Sequence, residues 1–249
     1  MKFGSLFAGI GGIDLGLERA GMTCVWQVEK DEFCRKVLAK HWPEVPKFGD
    51  IREVSGHELE TVDLICGGFP CQPFSFAGKR RGAEDDRHLW PEMLRIIKII
   101  RPKWVIAENV GGILSIDGGN TINSICAGLE AIGYEKPAIY DFTADAFGLP
   151  TMERHIWIVT KAVGERCPGS KKNQNAETWK KLRKLQGTYQ GGSDRSDLSK
   201  TRFRRVCKRV SDRVDRDRLK ALGNAVVPQM AEWIGRQIMK FEVMPCKPK

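Results

Sequence analysis

With 249 residues, 41% of them apolar and 29% charged, the chain can bury one substantial core plus a small appended lobe, and it reads as globular, not as a disordered tail. Its longest apolar stretches, such as Ile96 to Ile100 and Trp104 to Ala107, fall far short of the roughly 20 residues that span a bilayer. No signal core with a small-residue cleavage site follows Met1 and Lys2, so a cytoplasmic protein with no membrane contact is expected. The net charge of +10 is concentrated: Gly164 to Arg218 carries 17 Lys and Arg against 7 Asp and Glu, and the rest of the chain balances at 24 against 24. Charge alone leaves two readings of that segment, a solvated insert or a lobe that neutralises a polyanion.

Lys2 to Phe7 reads as a first strand. It ends in Phe7-Ala8-Gly9-Ile10-Gly11-Gly12, ahead of a helix from Asp14 to Ala20. Glycines there let the backbone turn sharply and approach a ligand. A second strand, Thr23 to Val28, is followed by Glu29, 17 residues after Gly12, where a carboxylate can accept hydrogen bonds from ribose hydroxyls. The pattern fits an adenosine-type cofactor and does not choose between NAD and S-adenosylmethionine. No lysine followed by serine or threonine completes a nucleotide-triphosphate loop. Asp31 to His41 reads as a helix, and Asp50 is a candidate partner for an adenine amino group.

The strand Asp63 to Cys66 runs into Gly67-Gly68-Phe69-Pro70-Cys71-Gln72-Pro73-Phe74-Ser75. A cysteine among glycines and prolines at the carboxyl end of a strand is placed for exposure and reaction. The other seven cysteines are scattered without C-x-x-C spacing, so they are expected to be small buried apolar residues, with no metal site and no disulfide framework. From Leu89, apolar residues at Met93, Leu94, Ile97 and Ile100 mark a helix that Pro102 closes. The strand Trp104 to Ala107 presents Glu108-Asn109-Val110 at its end, a carboxyl group backed by apolar residues and suited to proton transfer. A helix at Asn120 to Ala131 and strands at Tyr134 to Asp141 and Ile156 to Val159 complete an α/β alternation, which predicts a mostly parallel doubly wound sheet. After Gly164 the periodicity collapses. It returns beyond Arg218 as Leu219-Lys220-Ala221-Leu222-Gly223-Asn224-Ala225-Val226-Val227-Pro228 and a helix through Met230, Trp233, Ile234 and Ile238, expected to pack back on the first unit. The expected divisions are 1–163, 164–218 and 219–249.

FAGIGG at 7–12, Glu29, GDI at 49–51, GGFPCQPFS at 67–75, ENV at 108–110 and GNAVVP at 223–228 together resemble the ordered motifs of the cytosine-5 DNA methyltransferase family. The match runs along nearly the whole chain and leaves the basic segment aside. The chain looks like one of the compact members common in phages and prophages. The resemblance implies a Rossmann-like S-adenosylmethionine-dependent methyltransferase fold with a small basic target-recognition lobe. It implies Cys71 as the nucleophile at ring carbon 6 of a flipped cytosine, Glu108 as the group that holds and protonates ring nitrogen 3, and Pro70, Gln72, Asn109 and His155 beside them. S-adenosylmethionine, leaving as S-adenosylhomocysteine, would lie against Phe7, Ala8, Gly9, Ile10, Gly11, Gly12, Glu29, Asp50, Ile51, Leu89, Asn224 and Ala225. Double-stranded DNA is the implied partner of a monomer that needs no other protein, located in the cytoplasm and on the nucleoid if bacterial.

One stretch departs from the pattern. The family carries a glutamine and two arginines at alternate positions before the strand Ile156 to Val159, where this chain has Thr151, Glu153 and His155. The family's arginines help hold the flipped base, so either Arg154, by a small shift, or a protonated His155 would have to serve. Three alternatives stay open at this point: a nucleic-acid-binding relative with impaired catalysis, a transfer RNA cytosine-5 methyltransferase, and, more distantly, an NAD-dependent oxidoreductase.

Overall fold

The computed structural model describes residues 1–70, 89–148, 153–164, 217, 221 and 225–243. Its strands are β1 (Lys2–Leu6), β2 (Thr23–Val28), β3 (Lys47–Phe48), β4 (Leu64–Gly68), β5 (Trp104–Val110), β6 (Ala138–Thr143) and β7 (Arg154–Lys161). They form a seven-stranded sheet in the order β3-β2-β1-β4-β5-β7-β6. The first five are parallel to one another, and β7 inserts antiparallel between β5 and β6. The chain winds outward from β1 to β3 and then restarts at β4 on the other side of β1. Strand order therefore reverses between β1 and β4, the place where open α/β sheets leave a crevice beyond the carboxyl ends of their strands.

Helices cover both faces, which is why β4 and β5 are continuous apolar runs instead of alternating ones. On one face Leu6, Ile65, Val105, Ala107, Ile156 and Ile158 meet α3 (Trp90–Ile100) and α4 (Asn120–Ala131) through Met93, Ile96, Ile97, Ile122, Ile125 and Leu129. Helix α3 ends at Arg101 in the left-handed region (φ 56°), directly before Pro102. On the other face Phe3, Cys66, Trp104, Ile106, Trp157 and Val159 meet α1 (Gly12–Arg19) and α5 (Pro228–Val243). These two helices touch backbone to backbone. A Cβ on Gly16 would fall 2.3 Å from the Pro228 carbonyl oxygen, and one on Gly235 would fall 2.8 Å from the Ala20 Cβ. At the far end of α5, Glu242 accepts hydrogen bonds from Trp104 Nε1 (3.0 Å) and Lys103 Nζ (2.5 Å). The remaining helix, α2 (Glu32–His41), is capped by Asp31, whose carboxylate accepts from the Phe33 and Cys34 amides.

Of the six strands expected from sequence, Thr23–Val28 has the expected bounds. Strands β1, β4 and β5 shift by one to three residues at an end, Glu108, Asn109 and Val110 falling inside β5, and β6 and β7 change most. Tyr134 to Asp141 was expected as one strand, but β6 starts at Ala138, because Pro137 has no N–H to give a ladder. Tyr134 makes an isolated bridge to Ala162 and donates its hydroxyl to the Pro102 carbonyl at 2.7 Å. Strand β7 begins at Arg154, two residues ahead of Ile156, which brings His155 inside the sheet.

Candidate active site

The loop leaving β1 is held from beneath and open above. Phe7 has φ 52°, a left-handed conformation that costs a non-glycine residue roughly 1 kcal/mol, and Gly9 and Gly11 follow with φ 56° and 86°. The Gly11 amide donates to the Ala8 carbonyl at 2.9 Å, closing the turn. A Cβ on Gly11 would sit 2.4 Å from the Trp42 ring and one on Gly12 would sit 2.3 Å from the Val226 carbonyl oxygen, whereas a Cβ on Gly9 would meet nothing within 4 Å. Glu29, at the end of β2, accepts from the Gly9 amide through Oε2 and from the Asp31 amide through Oε1, both at 2.7 Å. Each carboxylate oxygen keeps a second lone pair, so this residue can still accept from a ligand's hydroxyls.

The other residues named for a cofactor are less uniform. Phe7, Ala8 and Ile10 are partly exposed around the open space, and Leu89 and Ala225 are half-buried. Ile51 is 2% exposed and belongs to the apolar layer against α3. Asp50 is gripped by Arg52, through both carboxylate oxygens, and by Lys30 Nζ at 2.9 Å. The Arg52 guanidinium holds its carboxyl well below the usual carboxylate range.

A second group of residues gathers at the ends of β4, β5 and β7. Gly68 and Glu108 are partners in the parallel β4–β5 ladder. The Glu108 carboxyl lies over Gly68, where a Cβ would come 2.8 Å from Oε2, so a side chain at position 68 would push the carboxyl from this place. The next residue, Asn109, donates from Nδ2 to the Phe69 carbonyl at 2.7 Å, while its Oδ1 accepts from the Val110 amide at 2.9 Å. That bond fastens the end of β5 to the backbone just ahead of Pro70, and the Phe69 ring packs on Trp90 at 5.1 Å between centroids. Glu108 and Asn109 are buried, at 6% and 3% exposure.

His155 closes the group. In the antiparallel ladder it stands opposite Val110, and Glu108 stands opposite Trp157, which puts His155 and Glu108 diagonally on one face. His155 Nδ1 lies 2.7 Å from Glu108 Oε1. The ring is 7% exposed, and its Nε2 has no hydrogen-bond partner among the described residues. Arg154 points the other way and pairs with Asp141 at the surface. Of the two side chains that could replace the arginine expected here, His155 is the one that meets the carboxyl. Sequence reading missed the space at Gly68; its signal was the doubled glycine at 67 and 68. Cys71, Gln72, Thr151 and Asn224 lie outside the described residues, as do residues 165–216 of the basic segment.

Known proteins resemble the chain in sequence and in fold. The chain is 40% identical over 161 residues to the Type II methyltransferase M.BsuFI of Bacillus subtilis, a match covering 64% of this chain and 39% of that protein. It is 48% identical over 157 residues to M.PspPI of Psychrobacter sp., covering 62% and 38%. M.HhaI of Haemophilus parahaemolyticus is 36% identical over 160 residues, covering 64% and 48%. The chain thus spans less than half the length of these curated relatives. Among solved structures, a protein described as a candidate DNA modification methyltransferase encoded within an E. coli prophage superposes with a TM-score of 0.55 at 25% identity, covering 65% of this chain and 47% of that one. The Dnmt2 methyltransferase of S. pombe superposes with a TM-score of 0.54 at 18% identity, covering 67% and 52%, a likeness of fold. The family model for C-5 cytosine-specific DNA methylases matches residues 1–205, and the chain belongs to that family.

Proposed function

We propose that the chain is a DNA (cytosine-5-)-methyltransferase that takes its methyl group from S-adenosylmethionine. The observation that carries this reading is the buried Glu108 carboxyl, hydrogen-bonded to His155, one strand away from the loop whose backbone Asn109 holds just ahead of Cys71. In cytosine, ring carbon 5 is a poor nucleophile until a thiolate has added to ring carbon 6. Cys71 supplies that thiolate. Glu108 holds ring nitrogen 3 and protonates it as the sulfur adds, so negative charge does not accumulate in the ring. When bound, the cofactor supplies the sulfonium methyl that carbon 5 attacks; loss of the carbon 5 proton and of the cysteine then restores the aromatic base.

The loop of residues 7–12 and Glu29 suit that cofactor. The backbone at Gly9 is open, Phe7 and Ile10 beside it are partly exposed, and Glu29 has lone pairs left for ribose hydroxyls. Asp50 pairs with Lys30, the residue after Glu29, and Val226, which follows Asn224 and Ala225 in the chain, lies against Gly12. Ring carbon 6 is inaccessible in stacked DNA, so the target base must leave the duplex at a cost of about a few kcal/mol. The basic residues between 164 and 218 are assigned to gripping duplex phosphates. Membership of the C-5 cytosine-specific DNA methylase family favours DNA as the substrate. No helix among the described residues is long and apolar enough to cross a membrane.

The test is methyl transfer from labelled S-adenosylmethionine to duplex DNA or to transfer RNA, run beside Cys71→Ala. Label entering DNA with the unaltered chain and not with Cys71→Ala supports the proposal. Label entering only transfer RNA, or none entering either, refutes it.

A further inference from the structure

We infer that Glu108 and His155 hold protons as one unit, and that this unit makes the chain's ability to protonate cytosine depend on pH across neutrality. The inference deepens the proposed function and rests on it for the base, though not for the pair itself. His155 stands where the family pattern has an arginine, a group that stays charged at any working pH, whereas histidine exchanges its charge between about pH 5 and 8. The Nδ1 to Oε1 distance of 2.7 Å is that of a short hydrogen bond, and both side chains are more than nine-tenths buried. The second ring nitrogen, Nε2, is buried with no partner among the described residues.

Those facts define the proton inventory. With one proton on the pair, Nδ1–H donates to an ionised Glu108 and Nε2 is a bare lone pair. A second proton puts an N–H at Nε2 in either way of writing it, as an imidazolium beside a carboxylate or as a protonated Glu108 donating to Nδ1. Among the described residues no acceptor meets an N–H at that position. The carbonyl of a bound cytosine can supply one. The second proton comes from solvent, passes from Glu108 to ring nitrogen 3 while the Cys71 sulfur bonds to ring carbon 6, and returns to Glu108 when the carbon–sulfur bond breaks.

Among the described residues, Glu108 is the charged group paired with the ring. Asp141 of β6 and Arg154 of β7 bind each other, Asp14 of α1 is held by Ser5 and Gln27, and Glu232 and Arg236 of α5 bind each other. Glu153 precedes β7, and Asp145 lies in the single helical turn after β6; the hydrogen bond to the ring comes from Glu108.

Two measurements on the full chain test the inference. Nuclear magnetic resonance of the ¹⁵N-labelled imidazole and ¹³C-labelled carboxyl, followed from about pH 5 to 9, should show His155 and Glu108 moving together, and Glu108→Gln should shift the His155 midpoint. In methyl transfer to duplex DNA, kcat/KM should fall about tenfold per pH unit on the alkaline side, as loss of one proton requires. His155→Arg should displace that limb by at least one pH unit. Independent titration of the two groups, a His155 midpoint unmoved in Glu108→Gln, or an identical alkaline limb in His155→Arg would overturn the inference. If no variant transfers methyl groups, the resonance titration still decides the pair, and the failure falls on the proposed function instead.

Discussion

Asp14 and Glu108 are both buried carboxyl groups, and their surroundings give them different work. Asp14 sits in α1 with Oδ2 accepting from Ser5 Oγ at 3.0 Å and Oδ1 accepting from Gln27 Nε2 at 2.8 Å. Burial pushes its carboxyl up, and the hydrogen bonds from Gln27 and Ser5 offset only part of that. A folded-state value above the unfolded one means that stability from this group is fully present below the ordinary carboxylate value of 3.8 and is lost as pH rises through the raised one. Asp14→Asn, which keeps an acceptor for Gln27 and carries no charge, should match the unaltered chain near pH 4. It should gain on it toward pH 8, read as a thermal midpoint that rises above that of the unaltered chain. Glu108 instead faces His155 at the end of β5. Glu108→Gln keeps the shape over Gly68 but supplies no acid, so it should lower kcat by about 10²- to 10⁴-fold in methyl transfer while duplex binding, followed by fluorescence anisotropy, stays within a few fold.

At the scale of elements, the clasp between β5 and β4 and the contact between α1 and α5 are the joints on which the site depends. Asn109→Ala removes the bond to the Phe69 carbonyl and leaves a buried acceptor without its partner, a loss of about 1–3 kcal/mol in urea unfolding. Its activity should fall further than its stability explains, because the loop before Cys71 is no longer anchored. Gly16→Val would force a branched side chain against the Pro228 carbonyl and Ala231, which should destabilise the chain by about 1–3 kcal/mol or more and loosen the Val226 backbone from Gly12. Much of this frame was legible in the sequence. The apolar runs of β4 and β5, the helical spacing from Met93 to Ile100 and the glycine loop each announce their element through period or composition. What was not legible depends on partners. Strand β3 is two residues long and has no period to read. The reversal of β7 leaves no trace in composition, and the start of β6 turned on the missing N–H of Pro137. The motif residues Glu108 and Asn109 could be named from their place after a strand. That Asn109 reaches back to Phe69, and that His155 rather than Arg154 meets the carboxyl, follows from ladder register, which only the folded sheet supplies.

For the whole molecule, strand order brings two groups of loops to one edge of the sheet. The loops after β1 and β2 carry Gly9 and Glu29; the strand ends of β4 and β5 carry Phe69, Pro70, Glu108 and Asn109. The reversal of strand order between β1 and β4 lies between them, where open α/β sheets take ligands, as the proposed meeting of methyl donor and base requires. The charge of the molecule is as uneven as its loops, with the whole excess between 164 and 218. Duplex affinity should therefore fall on the order of 10²-fold or more between about 50 and 200 mM salt, as several phosphate contacts require; an unchanged affinity would remove DNA binding from that segment. The account as a whole turns on a bond between Cys71 and ring carbon 6. A duplex carrying 5-fluorocytosine blocks loss of the group at carbon 5 and should trap that bond. With S-adenosylmethionine present, the account predicts a denaturant-resistant adduct whose DNA-linked peptide contains Cys71 and which is absent in Cys71→Ala; an adduct that survives the substitution, or methylation of ordinary duplex DNA by Cys71→Ala, would contradict it.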